Sequence, residues 1–212
     1  MRHAGLATVL LLALATPSAR AQQSSAPPAR APQAGADTTA LPAGFGALRQ
    51  DDIALRVQVN ALQVRVLPLD ESVIRTLSPD SYRALRDLRD SKRAAVDSLL
   101  RRTAMPGASL WYVQFFNQEQ GEARFSPLEL VITSAGRDCR ALEVYPLTPG
   151  FGEQRLRQRE VQAALYVFDP AVDVNQPLVV SFETQSSAAW ETLLKRVEQE
   201  RASIRGRTAP KP

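Results

Sequence analysis

Histidine is almost absent from this chain of 212 residues: His3 is the single one, and it falls in a segment that reads as cleaved. Without it the remaining chain builds neither a Ser-His-Asp nor a Cys-His site, and no zinc centre of the usual His and Cys ligands. Cysteine is equally scarce. Cys139 stands alone, so no disulfide forms within the chain, and no cysteine follows the leading apolar run to take a lipid. We read Cys139 as a small inward residue of a strand, with a bond between two chains as the alternative. Lysine amounts to 3 residues against 23 arginines. A Ser-Lys pair would therefore draw on Lys92, Lys195 or Lys211, of which two sit on charged helices and one in the tail. Beyond the leader no apolar run is long enough to span a bilayer.

The leader is the clearest positive feature. Arg2 and His3 precede an apolar run from Leu6 to Ala15, followed by Pro17 and the Ala19-Arg20-Ala21 triplet. This is the pattern of a signal peptide cut near Ala21, and it predicts an extracytoplasmic mature chain, periplasmic or secreted, of residues 22–212. Formal charge is +4 overall and +2 once Arg2 and Arg20 are lost, so the chain shows no strong excess for a polyanion and nucleic acid is not its expected partner. Arginine forks grip oxyanions, but these arginines are interspersed with acids, and the bias reads as compositional.

Residues 22–46 are rich in Ala, Pro, Gln and Ser and predict a disordered tether. From Ile53 the chain alternates as a half-buried strand through Leu55, Val57 and Val59. At Asn60-Ala61 the apolar phase slips to Leu62, Val64 and Val66, which requires a bulge or tight turn. Ser78-Pro79-Asp80 starts a helix expected over 78–102, with Leu85, Leu88, Ala95, Val96 and Leu99 inward. Lys92 falls within that stripe and is expected to lay its stem across apolar surface with its head in water.

Leu110 to Phe116 carries large apolar groups on both faces and predicts a central strand. Leu128, Leu130 and Ile132 alternate up to a turn at Ser134-Ala135-Gly136-Arg137, and a return strand runs through Leu142, Val144 and Tyr145. A further strand ends as Leu165-Tyr166-Val167-Phe168, and the last covers Leu178 to Phe182. Ser186 or Ser187 caps a C-terminal amphipathic helix, 185–205, with Trp190, Leu193, Leu194, Val197 and Ile204 in one stripe that Arg201 interrupts. That stripe either docks on its own domain or forms a partner face of Trp190, Leu193, Leu194 and Val197. Residues 206–212 form a basic tail.

About seven strands, a helical insert at 78–102 and a C-terminal helix predict a mainly β fold over 47–184, an antiparallel sandwich of immunoglobulin-like topology. Between Leu110 and Phe182, Phe115-Phe116-Asn117, Ser126-Pro127-Leu128-Glu129-Leu130, Thr148-Pro149-Gly150, Leu165-Tyr166-Val167-Phe168-Asp169-Pro170 and Pro177-Leu178-Val179-Val180 carry a resemblance. The chain resembles the immunoglobulin-like domains of exported bacterial envelope proteins, and the resemblance implies architecture without supplying a catalytic residue.

Candidate chemistry is sparse. Paired acids at Asp51-Asp52, Asp70-Glu71 or Asp169 with Asp173 would suit a glycosidase, but adjacent strand acids face opposite ways and loop acids cap turns. Asp169, Asp173 and Asn175 share one loop and form either a weak calcium site or turn caps. Arg155, Arg157 and Arg159 alternate, and in an extended strand would make an anion contact or a charged edge that discourages strand addition. The expectation is an exported, non-enzymatic binding or assembly module with a protein partner in the envelope, no transmembrane anchor and no cofactor. The alternatives are a carboxylate-dependent hydrolase of envelope polysaccharide and a polyanion binder.

Overall fold

The computed structural model describes residues 41–208; the expected signal peptide, the expected tether up to residue 40 and the last four residues of the expected basic tail lie outside them. Among the described residues the fold is mainly β, with eleven strands in antiparallel sheets and a long C-terminal helix, against the seven strands expected. β1 (Leu55–Val59) and β2 (Leu62–Pro68) form a hairpin whose two-residue turn holds Asn60 at φ 49°, a left-handed conformation that asparagine tolerates. The phase slip at Asn60-Ala61 is this turn. β2 pairs antiparallel with β3 (Ser109–Asn117), which lies at the centre of a five-stranded sheet between β2 and β9 (Val161–Phe168), with β7 (Glu143–Pro146) outside β9. Register aligns Leu55, Val66, Val113 and Ala164 in one row and Val57, Val64, Phe115 and Gln162 in the next.

A second sheet is built from β5 (Leu130–Ser134), β6 (Arg137–Arg140), β10 (Leu178–Phe182) and β11 (Gln185–Ser187), in the order β11-β10-β5-β6. Its Leu130, Ile132, Val180 and Phe182 are buried, and the Phe182 ring meets Phe115 of the first sheet edge-on at 5.5 Å. The core therefore lies between the two sheets. The expected return strand through Leu142 proves to be two strands. β6 pairs with β5, and then the chain crosses to pair β7 with β9. Leu128 does not join the alternation: it is 66% exposed on a short 3-10 turn ahead of β5. Cys139 points inward from β6, 9% exposed, as expected.

The insert is three helices. α1 (Glu71–Ile74) is capped by Asp70, which accepts from the Ser72 amide at 2.8 Å. The single helix expected over 78–102 is broken into α2 (Pro79–Ser91) and α3 (Arg93–Thr103). Ser91 causes the break: its hydroxyl donates to the Leu88 carbonyl at 2.6 Å, and the Lys92 amide turns to the Arg89 and Asp90 carbonyls instead. Lys92 is thus a junction. Ser78 does not cap α2 through its side chain, which bonds the Ser81 hydroxyl. Tyr145 donates its hydroxyl to the Ala95 carbonyl at 3.1 Å and ties α3 to β7.

α4 (Trp190–Thr208) docks on its own domain. Trp190 is fully buried, donates its indole N–H to the Val174 carbonyl at 3.0 Å and packs edge-on against Trp111. Leu194, Val197 and Ile204 are buried too. Arg201 does not interrupt this stripe but belongs to it, 6% exposed, donating to the Ser72 carbonyl and the Asn175 side-chain oxygen at 3.0 Å each. The helix starts after Ala189 because Ser186 and Ser187 are spent in β11. Residues 41–46, placed in the tether from composition, are ordered against the domain. Leu41 is 1% exposed, and a Cβ at Gly46 would lie 2.0 Å from the Thr76 carbonyl oxygen.

Candidate functional site

Asn117 ends β3 and organises one end of the sandwich. Buried to 1% exposure, it donates from Nδ2 to the Gly121 carbonyl at 2.9 Å and the Leu156 carbonyl at 3.3 Å, and accepts from the Glu119 amide. These bonds seat a two-stranded sheet, β4 (Ala123–Arg124) with β8 (Arg155–Leu156), over the end of the core. Phe125 stacks on Phe115 at 4.4 Å and meets Phe151 at 5.4 Å, so an aromatic cluster anchors the small sheet from below. Leu156 is buried, and its neighbours Arg155 and Arg124 are left outward and opposite one another.

Three adjoining depressions surround this pair. The first, about 520 Å³, is lined by Glu122, Glu153, Arg155, Arg157, Glu160 and Gln162. The second, about 500 Å³, shares Glu153 and Arg155 and adds Arg124 and Ser126. The third, about 180 Å³, shares Arg124 and reaches the β1–β2 turn at Asn60 and the β10–β11 turn at Glu183. They adjoin at Glu153, Arg155 and Arg124 along one open surface, the cleft.

Of the six non-glycine residues with positive φ among the described residues, four lie here, Asn60, Gln154, Arg159 and Glu183, with φ between 49° and 60°, and Ala104 and Ala135 lie elsewhere. For a side chain other than glycine or asparagine this conformation costs ~1–2 kcal/mol. Strain held in place by surrounding structure is characteristic of ligand-facing turns.

The floor of the first depression is built around Gln162. It is 2% exposed, faces Phe115 in register, and donates from Nε2 to the Arg155 carbonyl at 2.8 Å and to Glu160 Oε1 at 3.0 Å. Glu160 Oε2 in turn accepts from the Arg157 amide at 2.8 Å. The Gln162 bond, then the Arg157 amide, holds the Glu160 carboxyl below the usual range and therefore ionised. Gly150 makes room for this arrangement, since a Cβ there would sit 2.9 Å from Gln162 Nε2. Arg155 is within 3.8 Å of Glu122, whereas Arg124, Arg157 and Glu153 form no ion pair among the described residues.

Of the residues singled out from sequence, Arg155 and Arg157 line this cleft together. Arg159 does not join them: its φ of 60° breaks the extended alternation, so the three guanidinium groups share no face. Trp190, Leu194 and Val197 are buried against the domain and Leu193 is half-buried, which removes them as a partner face. Asp169 and Asp173 cap turns by accepting from the Ala171 and Asn175 amides at 2.8 Å, and Asn175 holds Arg201. The paired acids also have structural partners. Asp51 accepts from Arg56 and lies near Arg65, Asp52 bonds the Arg49 amide and Arg196, and Glu71 bridges Arg75 and Arg89.

Glu122, Arg124, Glu153, Glu160 and Gln162 were missed by sequence reasoning. One signal pointed to them: Gln162 is the polar interruption in Val161-Gln162-Ala163-Ala164-Leu165, a strand buried along nearly its whole length. A buried amide in such a strand has hydrogen-bonding work to do. No helix among the described residues is long and apolar enough to cross a membrane. No group of three or more acidic, cysteine or histidine side chains among them is placed to hold a metal ion. No family model, curated protein or solved structure matches this chain.

Proposed function

We propose that the mature chain is an exported, non-enzymatic binding module of the bacterial cell envelope, and that the cleft around β4 and β8 is its ligand site. The observation that carries this reading is the placement of the cleft relative to the chain ends. From Trp111 to Asn117, β3 makes six residue steps, about 20 Å at ~3.3 Å per step. At the Trp111 end, the Leu69 amide bonds the Leu110 carbonyl and leads into α1, whose Arg75 donates to the Leu41 carbonyl. Arg207, near the end of α4, donates to the Phe45 carbonyl at 2.7 Å. The entering segment and the C-terminal helix thus meet at one end of the domain, and the cleft opens at the other. The described chain therefore begins at the end opposite the cleft, which leaves the cleft open to a ligand.

Two facing antiparallel sheets support the immunoglobulin-like sandwich expected from the resemblance, while eleven strands and the β1-β2-β3 order within one sheet depart from it. The hydrolase reading needs one acid kept protonated and one ionised across a cleft. Glu160, the best-held carboxyl of the cleft, is driven to the ionised form and accepts from two donors, which suits recognition better than proton donation.

The test compares mature wild-type protein, an Arg155→Glu/Arg157→Glu variant and an Arg83→Glu surface control, each immobilised through its N-terminus and exposed to solubilised envelope. Material retained by wild type and control but lost by the cleft variant supports the reading. Equal retention by all three overturns it.

A further inference from the structure

The charges of the cleft are of both signs, and of these only Arg155 and Glu122 come within ion-pair distance of one another among the described residues, at 3.8 Å. Glu160 is fixed by two donors, one on each oxygen, while a carboxylate has about four acceptor positions, so each oxygen retains acceptor capacity. That fixed carboxylate stands in the same depression as the Arg157 guanidinium, which forms no ion pair among the described residues. The Arg157 charge helps to hold the Glu160 carboxyl low, but the two side chains form no ion pair among the described residues. The Glu160 carboxylate is turned onto the Arg157 amide, the Glu160 amide bonds the Arg157 carbonyl at 3.0 Å, and Arg159 between them is held in the left-handed region with its amide on the Asn117 carbonyl. Arg124, also without an ion pair among the described residues, extends the positive side into the adjoining depression.

A ligand of one sign would satisfy half of this surface and be repelled by the other half. A polyanion meets Glu122, Glu153 and Glu160, and a polycation meets Arg124, Arg155 and Arg157. No aromatic ring lines the first depression, and Phe125, which lines the second, is only 2% exposed, so the cleft offers little stacking surface to a neutral sugar face. The matching ligand carries an ammonium and a carboxylate within a few bonds of each other, and its backbone amides can meet Gln158 and Ser126.

We propose that the cleft binds an ampholytic peptide segment, with Glu160 accepting from the ligand's ammonium and Arg157 and Arg124 donating to its carboxylate. This rests on the reading of the cleft as the ligand site. Charge-assisted hydrogen bonds of this kind are each strong enough to change affinity by about tenfold or more.

The experiment is calorimetric titration of the mature protein with four capped hexapeptides: alternating Asp and Lys, alternating Asp and Gly, alternating Lys and Gly, and alternating Ser and Gly. The alternating Asp and Lys peptide is expected to bind at least tenfold tighter than the other three. Arg157→Glu should then lose about tenfold for the peptides containing Asp, and Glu160→Gln about tenfold for those containing Lys. Both side chains are at the surface, and circular dichroism checks that each variant is folded. Equal or tighter binding of the Asp and Gly peptide makes the cleft an oxyanion site and overturns the proposal. Absence of binding by all four peptides overturns it as well. In that case, loss of envelope retention in Arg155→Glu/Arg157→Glu would leave the cleft as ligand site with another ligand, and unchanged retention would remove both readings together.

Discussion

Trp190→Ala decides whether α4 is part of the folded core or an appended partner helix. The indole is fully buried, its N–H bonds the Val174 carbonyl at 3.0 Å, and its ring meets Trp111 at 6.3 Å and 65°. Truncating a buried tryptophan to alanine costs ~3–5 kcal/mol, including the cavity left behind. Two features place this site in the upper half of that range. The Val174 carbonyl loses its partner in a dry environment, worth ~1–3 kcal/mol, and the edge-on aromatic pair adds ~0.5–1.5 kcal/mol, both overlapping with the truncation cost. A loss of ~4–5 kcal/mol is most of the stability of a marginal domain, for which ~5–15 kcal/mol is typical. It corresponds to a fall in midpoint of about 10–15 °C at this chain size. The assay is urea unfolding followed by tryptophan fluorescence and far-ultraviolet circular dichroism in parallel. Trp190→Phe serves as the companion, keeping one aromatic ring in the site while deleting the hydrogen bond and part of the indole volume, and should lose less, ~2–3 kcal/mol. A loss below ~1 kcal/mol for Trp190→Ala would mean that the helix does not depend on the domain, and the docking described here would be wrong.

Gly46→Ala places a methyl group 2.0 Å from the Thr76 carbonyl oxygen and should release the segment that carries Leu41, seen as faster proteolysis before Leu48 and a midpoint several degrees lower. Glu71 should make stability acid-sensitive. Burial raises its pKa, but hydrogen bonding to Arg75 and the Arg89 and Arg75 charges outweigh this and hold it below its ordinary value. Its contribution is therefore complete above the unfolded value and lost as pH falls through the folded one, and Glu71→Gln should flatten that limb of the urea midpoint against pH. Burial pushes the Cys139 thiol up, so in the native protein it should react with Ellman's reagent more slowly than after denaturation. Gly150→Ala should displace the Gln162 amide and weaken ligand binding at the cleft while leaving the core aromatic cluster folded, as read by near-ultraviolet circular dichroism. Mass spectrometry of the exported protein should give an N-terminus at Gln22.

The inward faces were legible because they follow short-range periodicity. Leu55, Val57 and Val59, the central strand around Val113 and Phe115, and the stripe of α4 all fall where alternation or helical spacing puts them. What escaped the sequence was decided by single hydrogen bonds or by distant partners. Ser91 breaks the long helix through one bond to Leu88, which no periodicity records. Arg201 looks like a charge in an apolar stripe until α1 and the 169–177 loop supply the Ser72 and Asn175 acceptors. The split between β6 and β7 depends on which strand lies alongside, and β9 arrives much later in the chain.

The cleft was half legible for the same reason. Arg155 and Arg157 stood out as alternating charges, but the left-handed backbone at Arg159 cancelled the alternation. The acids opposite them come from the β3–β4 loop, the 3-10 turn before β8 and the turn before β9, brought together by Asn117 and Gln162. Those two buried amides were the clue, because each spends its hydrogen bonds shaping loops at the same end of the sandwich.

The central claim is that the β4–β8 cleft is where this module binds. Amide chemical-shift mapping of the isotope-labelled mature chain against soluble fragments released from purified envelope tests it most directly. The account predicts shifts at residues 122–126 and 150–162, with α4 and the α2–α3 insert unchanged. Shifts confined to α2, α3 or α4, or saturable binding that leaves the cleft amides in place, would contradict it.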